Sequence, residues 1–325
     1  MKKFLALALS VLMLTSCTGG KIVATAGKTK ITEGEFNFYL SSIKSQMKGT
    51  DIQTDEDWET KEIEGKKAID AAKQRALDIA VKNVEYRDLA KLAGIELTDE
   101  DKASVKKMKE QVIANNGGKS GYKTFLKENG ITDSFTDMMC ESTVYYGKIG
   151  DVIKEDTPIT DEMLKARFES PEVNSEYRKA KHILFLTVDS ATRQPLSEEE
   201  QQKAKEQADA VYARVKNGED FDALMNEFSQ DPGLSANPNG YVFGSGEMVS
   251  EFEQAVDAIA PGDVTFCKSD FGYHIIKRLP LELADVRDKL ENEIIRALTD
   301  ERLAEWEKEY GYTVTRNEDI LKDIK

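Results

Sequence analysis

Along residues 66–93 the apolar side chains Ile69, Ala72, Ala76, Ile79, Ala80, Val84 and Leu89 recur at helical spacing, and Gly94 stops the run. The pattern predicts the longest helix of the first half. Before it, residues 22–26 and 30–31 flank Gly27-Lys28 and read as a small hairpin. Thr32 with Glu35 forms a capping box for a helix that carries Phe36, Tyr39, Leu40 and Ile43 on one face. Residues 47–62 are polar and turn-rich and read as loop. Helical segments follow at about 98–115, 120–129 and 132–154. The Met138, Met139, Tyr145 and Tyr146 stripe in the last of these reads as core. Another capped helix begins at Thr160 and is expected to end by Pro171 to Asn174.

From Tyr177 the period changes. Residues 180–188 read as a strand and 189–195 as a loop. Ser197 with Glu200 caps a helix whose buried stripe is Ala204, Ala208, Val211 and Val215, and Phe221, Leu224, Met225 and Phe228 predict a short one after it. Residues 234–240 are rich in Asn, Gly, Ser and Pro and read as loop. Phe252, Val256 and Ile259 suggest a brief helix, and 264–267 and 273–279 two strands. The result is a compact β-α-α-α-β-β unit closed by Pro280. Leu283, Val286, Leu290, Ile294 and Leu298 then carry a long helix toward Trp306, expected to pack back on the N-terminal helices. A short strand is expected at 312–314. The fold class is therefore α+β: a mostly helical domain at 22–175 and 281–325, with a compact unit inserted at 176–280.

Composition narrows the chemistry. Lys and Arg number 45 against 60 Asp and Glu, a net charge of −15, which argues against nucleic acid as a partner because phosphate contacts need clustered basic charge. Lys2, Lys3 and the apolar run 4–14 form a leader rather than a membrane span. It ends in Leu14-Thr15-Ser16-Cys17, which resembles the lipobox of bacterial lipoproteins. The resemblance implies cleavage after Ser16, lipidation of Cys17, a tether over 17–21 and attachment to a membrane. Loss of the two leader lysines would leave a mature charge of −17. Cys140 and Cys267 fall in different predicted domains and read as free thiols.

His182 and His274 are the only histidines, ninety-two positions apart, each heading an apolar β-prone run. With no cysteine or carboxylate cluster at ligand spacing they do not suggest zinc. Gly244-Ser245-Gly246 lacks the setting of a nucleophile elbow, and no glycine-rich loop opens a helix after a strand, so hydrolase and nucleotide-binding readings fail.

Five phrases decide between the remaining possibilities. Ala180-Lys181-His182-Ile183-Leu184, Phe228-Ser229-Gln230-Asp231, the run from Gly240 to Glu253, Pro261-Gly262-Asp263-Val264, and Phe271 to Lys277 stand in the order and spacing of the parvulin peptidyl-prolyl isomerases, which residues 178–279 resemble. With the leader and the helical flanks, the whole chain resembles the PrsA-type foldase lipoproteins, related in layout to SurA. The resemblance implies a four-stranded sheet with surrounding helices, isomerisation of X–Pro bonds without a cofactor, and unfolded secreted proteins as partners outside a Gram-positive type membrane. It implies that His182 and His274 face each other, that Asp231 and Ser269 belong to their polar network, and that Met248, Phe252 and Phe243 receive the proline ring. The family's leucine wall aligns with Gly240, where this chain departs. The loop 187–195 carries only Arg193, so the basic cluster of phosphate-selective relatives is missing. A chaperone that holds clients on a degenerate parvulin fold without catalysis is the second reading, and a ligand-binding lipoprotein the third.

Overall fold

The computed structural model describes residues 20–49 and 51–324, so the expected leader and Cys17, the expected lipidation site, lie outside the described residues. Packing divides the chain into two units. One is discontinuous, comprising the chain up to Pro158 and from Ile295 onward; the other is the continuous run Ile159–Ile294.

The discontinuous unit is helical around one small sheet. Strand β1 (Ile22–Ala26) pairs antiparallel with β2 (Thr29–Thr32), and Gly27 turns between them at φ +56°, where a Cβ would strike the Tyr312 ring at 2.3 Å. Thr32 then caps helix α1 (Glu33–Met47) by the reciprocal bonds its sequence predicts: its hydroxyl accepts from the Glu35 N–H, and the Glu35 carboxylate accepts from its own N–H. The stretch read as loop holds more structure than expected. It contains α2 (Asp57–Thr60), whose Trp58 is buried in the core, and runs into a hairpin of β3 (Glu62–Ile63) and β4 (Lys66–Lys67), the second strand taking the first two residues of the run read as helix. Helix α3 (Ala68–Leu92) lays Ala72, Ala76 and Ala80 inward. Ile79, placed on that stripe by the sequence, is 39% exposed because the alanines take the seam. Helices α4 (Asp99–Asn115), α5 (Gly118–Glu128) and α6 (Asp133–Asp156) follow, with Tyr145 buried as expected.

The second unit begins earlier than the sequence boundary suggested. Helix α7 (Asp161–Phe168) is followed by α8 (Pro171–Glu176), so Pro171 opens a helix where it was expected to end one. The ring fixes φ and needs no donor at the first helical position, which suits proline there. Leu164 and Val173 pack with Val286 and Leu290 in a small core inside this unit. The main sheet consists of β5 (Tyr177–Leu186), β6 (Tyr241–Gly244), β7 (Val264–Lys268) and β8 (Gly272–Leu279), all antiparallel in the order β6-β5-β8-β7. Strand β6 is the fourth strand, implied by the parvulin resemblance but absent from the residue-pattern reading.

The period-two alternation of strands sorts this sheet into two faces. Ile183, Phe185 and Ile275 turn toward helices α9 (Glu198–Lys216) and α10 (Phe221–Phe228), burying Ala208, Val211, Leu224 and Met225. Ala180 and Ile276 turn to the other face, against α11 (Ser250–Asp257), with Phe243, Phe252 and Val256. Helix α12 (Leu283–Tyr310) gives Val286 and Leu290 to this unit, and further along gives Leu303 and Trp306 to a core with Leu89, Tyr145, Ile149 and Ile153 in the helical unit. The expected return to the N-terminal helices is therefore made by the second part of the helix. The last strand falls at β9 (Val314–Arg316), two residues later than predicted, and pairs with β1 before α13 (Glu318–Asp323). No helix among the described residues is long and apolar enough to cross a membrane.

Candidate active site

His182 and His274 stand on adjacent central strands, on the α11 face. His182 pairs with Ile276 and Leu184 pairs with His274, so the two imidazoles are diagonal neighbours. Their rings lie nearly parallel, 14° apart, with Nδ1 to Nδ1 at 3.1 Å. His182 Nε2 reaches Asp231 Oδ2 at 3.1 Å, and His274 Nε2 reaches Ser269 Oγ at 2.7 Å. Four residues from three segments thus form one polar row.

Local folding explains how each is held. Gln230 N donates to the Leu184 carbonyl at 2.8 Å, Leu186 N donates to Gln230 Oε1 at 2.8 Å, and Leu184 N donates to Ser229 Oγ at 3.1 Å. The Phe228-Ser229-Gln230-Asp231 phrase is therefore docked on β5 beyond its pairing with β6, which delivers Asp231 to His182. Ser269 sits in the turn before β8, where its Oγ also accepts from Phe271 N at 3.1 Å. Gly272 allows that turn: at φ +152° a Cβ would lie 2.0 Å from the Phe185 carbonyl oxygen.

One distribution of protons satisfies every atom of the row. Burial first, and the neighbouring His182 second, depress the His274 pKa to about 3, so this ring is neutral. Burial pushes Asp231 up, but hydrogen bonds from His182, Tyr241 and the Gly233 N–H outweigh it and hold the carboxyl at about 2. An ionised Asp231 accepts from His182 Nε2–H. His182 Nδ1 then accepts from His274 Nδ1–H, and His274 Nε2 accepts from the Ser269 hydroxyl. All the donors point toward Asp231.

The row faces a cavity of about 450 Å³. Met248, Val249 and Phe252 make one apolar side and Leu184, Leu186, Val188 and Phe271 another. Phe252 meets both imidazoles nearly perpendicular, with centroids 5.3 and 5.6 Å away. His182, His274, Asp231, Met248 and Phe252 all border the cavity, and Ser269 lies behind it. Phe243 does not border it. Named from the motif as a substrate contact, it is 1% exposed and packs beneath Phe252 at 5.7 Å, because its place in β6 turns it into the core. Tyr241 and Arg193 also border the cavity, neither of them among the site residues read from the sequence. Tyr241 donates its hydroxyl to Asp231 Oδ2, and Arg193, at φ +58°, stacks on Phe271 at 5.5 Å. Tyr241 had a legible signal, an aromatic–β-branched–aromatic run between glycines that marks a short strand.

Residues 165–279 match the family model described as a PPIC-type PPIase domain. By sequence this part of the chain, inside the continuous unit Ile159–Ile294, is a domain of the PPIC-type PPIase family. Over most of its length the chain is similar to proteins named foldase protein PrsA. It is 28% identical over 282 residues to the one from Caldanaerobacter subterraneus subsp. tengcongensis, covering 84% of this chain and 80% of the relative. It is 25% identical over 347 residues to the one from Clostridium tetani, covering 95% and 94%. Among solved structures, PrsA from Bacillus subtilis aligns with 89% of this chain and 93% of its own at 20% identity and a TM-score of 0.30.

Proposed function

We propose that this protein is a foldase, held at the outer face of a membrane through a lipidated Cys17, that catalyses cis–trans isomerisation of X–Pro bonds in secreted proteins. The observation that carries the reading is one cavity in which an apolar floor of Met248 and Phe252 lies against the polar row His182, His274, Asp231 and Ser269. The foldase names of the relatives support it, and the leader with its lipobox supports the address.

The reaction needs no nucleophile and no cofactor. Rotation about the imide breaks amide resonance, at a barrier of roughly 18–20 kcal/mol. Catalysis therefore means binding the twisted imide better than either planar form. The floor would clamp the proline ring, leaving the preceding carbonyl to rotate. Planar resonance places negative charge on that carbonyl oxygen, and water stabilises it. Seating the imide against the apolar floor displaces that water, and the Asp231 carboxylate beside it disfavours the same charge, so both effects favour the twisted form. The histidines hold Asp231 in a fixed row and give up no proton. A barrier lowered by about 5–7 kcal/mol corresponds to roughly 10⁴–10⁵-fold acceleration.

A protease-coupled assay on an Ala-X-Pro-Phe peptide with the full chain tests the reading. Asp231→Ala should lower kcat/KM by about 10–100-fold, or about 1.4–2.7 kcal/mol. Wild type that leaves the peptide at its background rate would refute the isomerase function.

A further inference from the structure

We propose that Tyr241 is a positioning residue of the isomerase site: its ring supplies the pocket wall that Gly240 cannot, and its hydroxyl locks Asp231 in place. The inference rests on the isomerase reading and names how this site departs from the usual parvulin pattern.

Position 240, where the parvulin resemblance places a leucine, cannot carry a side chain here. Gly240 has φ +96°, and a Cβ would lie 2.8 Å from the Ala180 carbonyl oxygen and 3.0 Å from the Lys181 side chain. The next residue takes over. Tyr241 opens β6 opposite Ala180, borders the cavity, and sets its ring 5.6 Å from His182 at 71°. Its hydroxyl donates to Asp231 Oδ2, the oxygen that His182 also reaches, while Gly233 N donates to Oδ1 at 3.1 Å. Donors on both oxygens prevent the carboxylate from rotating.

A second glycine makes room for the phenol. A Cβ on Gly233 would lie 2.2 Å from the Tyr241 hydroxyl oxygen but 3.3 Å from the ring carbon that bears it. Gly233 has no left-handed φ that would itself resist alanine. Two glycines and one tyrosine thus form a single device: one glycine lets the chain turn under Ala180, the other clears the space the hydroxyl occupies. Loss of the hydroxyl alone removes one of the hydrogen bonds that oppose the burial of Asp231.

The experiment compares full-chain wild type, Tyr241→Phe, Gly233→Ala and the double variant. Turnover of an Ala-X-Pro-Phe peptide is read by NMR exchange, and the Asp231 carboxyl is titrated by its ¹³C shift without substrate. Tyr241→Phe should lower kcat about tenfold with KM within about twofold, and Asp231 should titrate at a higher pH than in wild type. Gly233→Ala should produce the same two changes by displacing the hydroxyl. Added to Tyr241→Phe it should change nothing further, because the atom it collides with is gone. An Asp231 titration unmoved by Tyr241→Phe, or losses that add in the double variant, would overturn the proposal. Because the titration needs no turnover, it decides the Tyr241–Asp231 pairing even if wild type proves inactive, the result that would instead end the isomerase reading.

Discussion

Mild acid should destabilise the isomerase unit through one side chain. His274 is 4% exposed, both of its nitrogens are engaged within the row, and burial followed by the nearby His182 lowers its pKa from 6.5 to about 3. Above pH 6.5 neither the folded nor the unfolded chain binds a proton there. Below it the unfolded chain is protonated and the folded one is not, so stability is lost as pH falls from 6.5 toward 3. The slope is about 1.4 kcal/mol per pH unit, so pH 5 costs about 2 kcal/mol. Asp231, held at about 2 from 3.8, loses its contribution only below 3.8, outside this window. For a unit of this size 2 kcal/mol corresponds to a fall in Tm of roughly 6–10 °C. Calorimetry measures it, and tryptophan fluorescence assigns the transitions, because Trp58 and Trp306 both belong to the helical unit. His274→Asn should melt lower at pH 7 yet lose most of the drop between pH 7 and 5. An isomerase transition at one temperature across that range, or a drop as large in His274→Asn, would refute the reasoning.

The helical unit should respond in the opposite sense. Glu85 is 3% exposed on α3, and burial, then the negative charge of Glu307, raise its pKa, with Lys82 at 3.7 Å only partly compensating. Its ionised form is disfavoured in the fold, so stability rises as pH falls toward the unfolded value of 4.5. Glu85→Gln should raise the tryptophan-detected midpoint at pH 8 by the equivalent of roughly 1–2 kcal/mol, with little gain at pH 5. Gly272→Ala should abolish the isomerase transition in calorimetry while sparing the other, since its Cβ would meet rigid backbone at 2.0 Å. A cooperative isomerase transition in that variant would show that the β5–β8 approach is looser than it looks.

Helices α1 and α9 were legible because local physics decides them: Thr32 with Glu35, and Ser197 with Glu200, cap helices whatever lies beyond. The membership of the polar row was legible through the parvulin phrases. Its proton order was not. That order depends on β5 and β8 pairing His182 with Ile276, and a slip by one residue would turn an imidazole to the other face. Pro171 was misread because proline ends a helix or starts one with equal ease, and only the pairing of Val173 with Leu164 and Leu290 chooses. Phe243 was misassigned because it shares the α11 face with the site but lies under Phe252 there, and a motif does not tell which of two packed rings is the outer one. Ile79 shows the same limit on a helix, where an apolar residue near the stripe lost its place to smaller ones.

The discontinuity of the helical unit has a consequence for the order in which the chain can fold. Ala24 pairs with Arg316, so the first strand must wait for almost the last residues before its sheet is complete. Joining those ends across a flexible loop of roughly 140 residues would cost on the order of 4 kcal/mol in chain entropy. The isomerase unit is continuous, and its two terminal residues, Ile159 and Ile294, pack on the same small core. Once folded it brings positions 159 and 294 together and turns that long closure into a short one. During synthesis the inserted unit is complete before the segment from Ile295 onward, so it can fold first and leave the helical unit only a short closure to make.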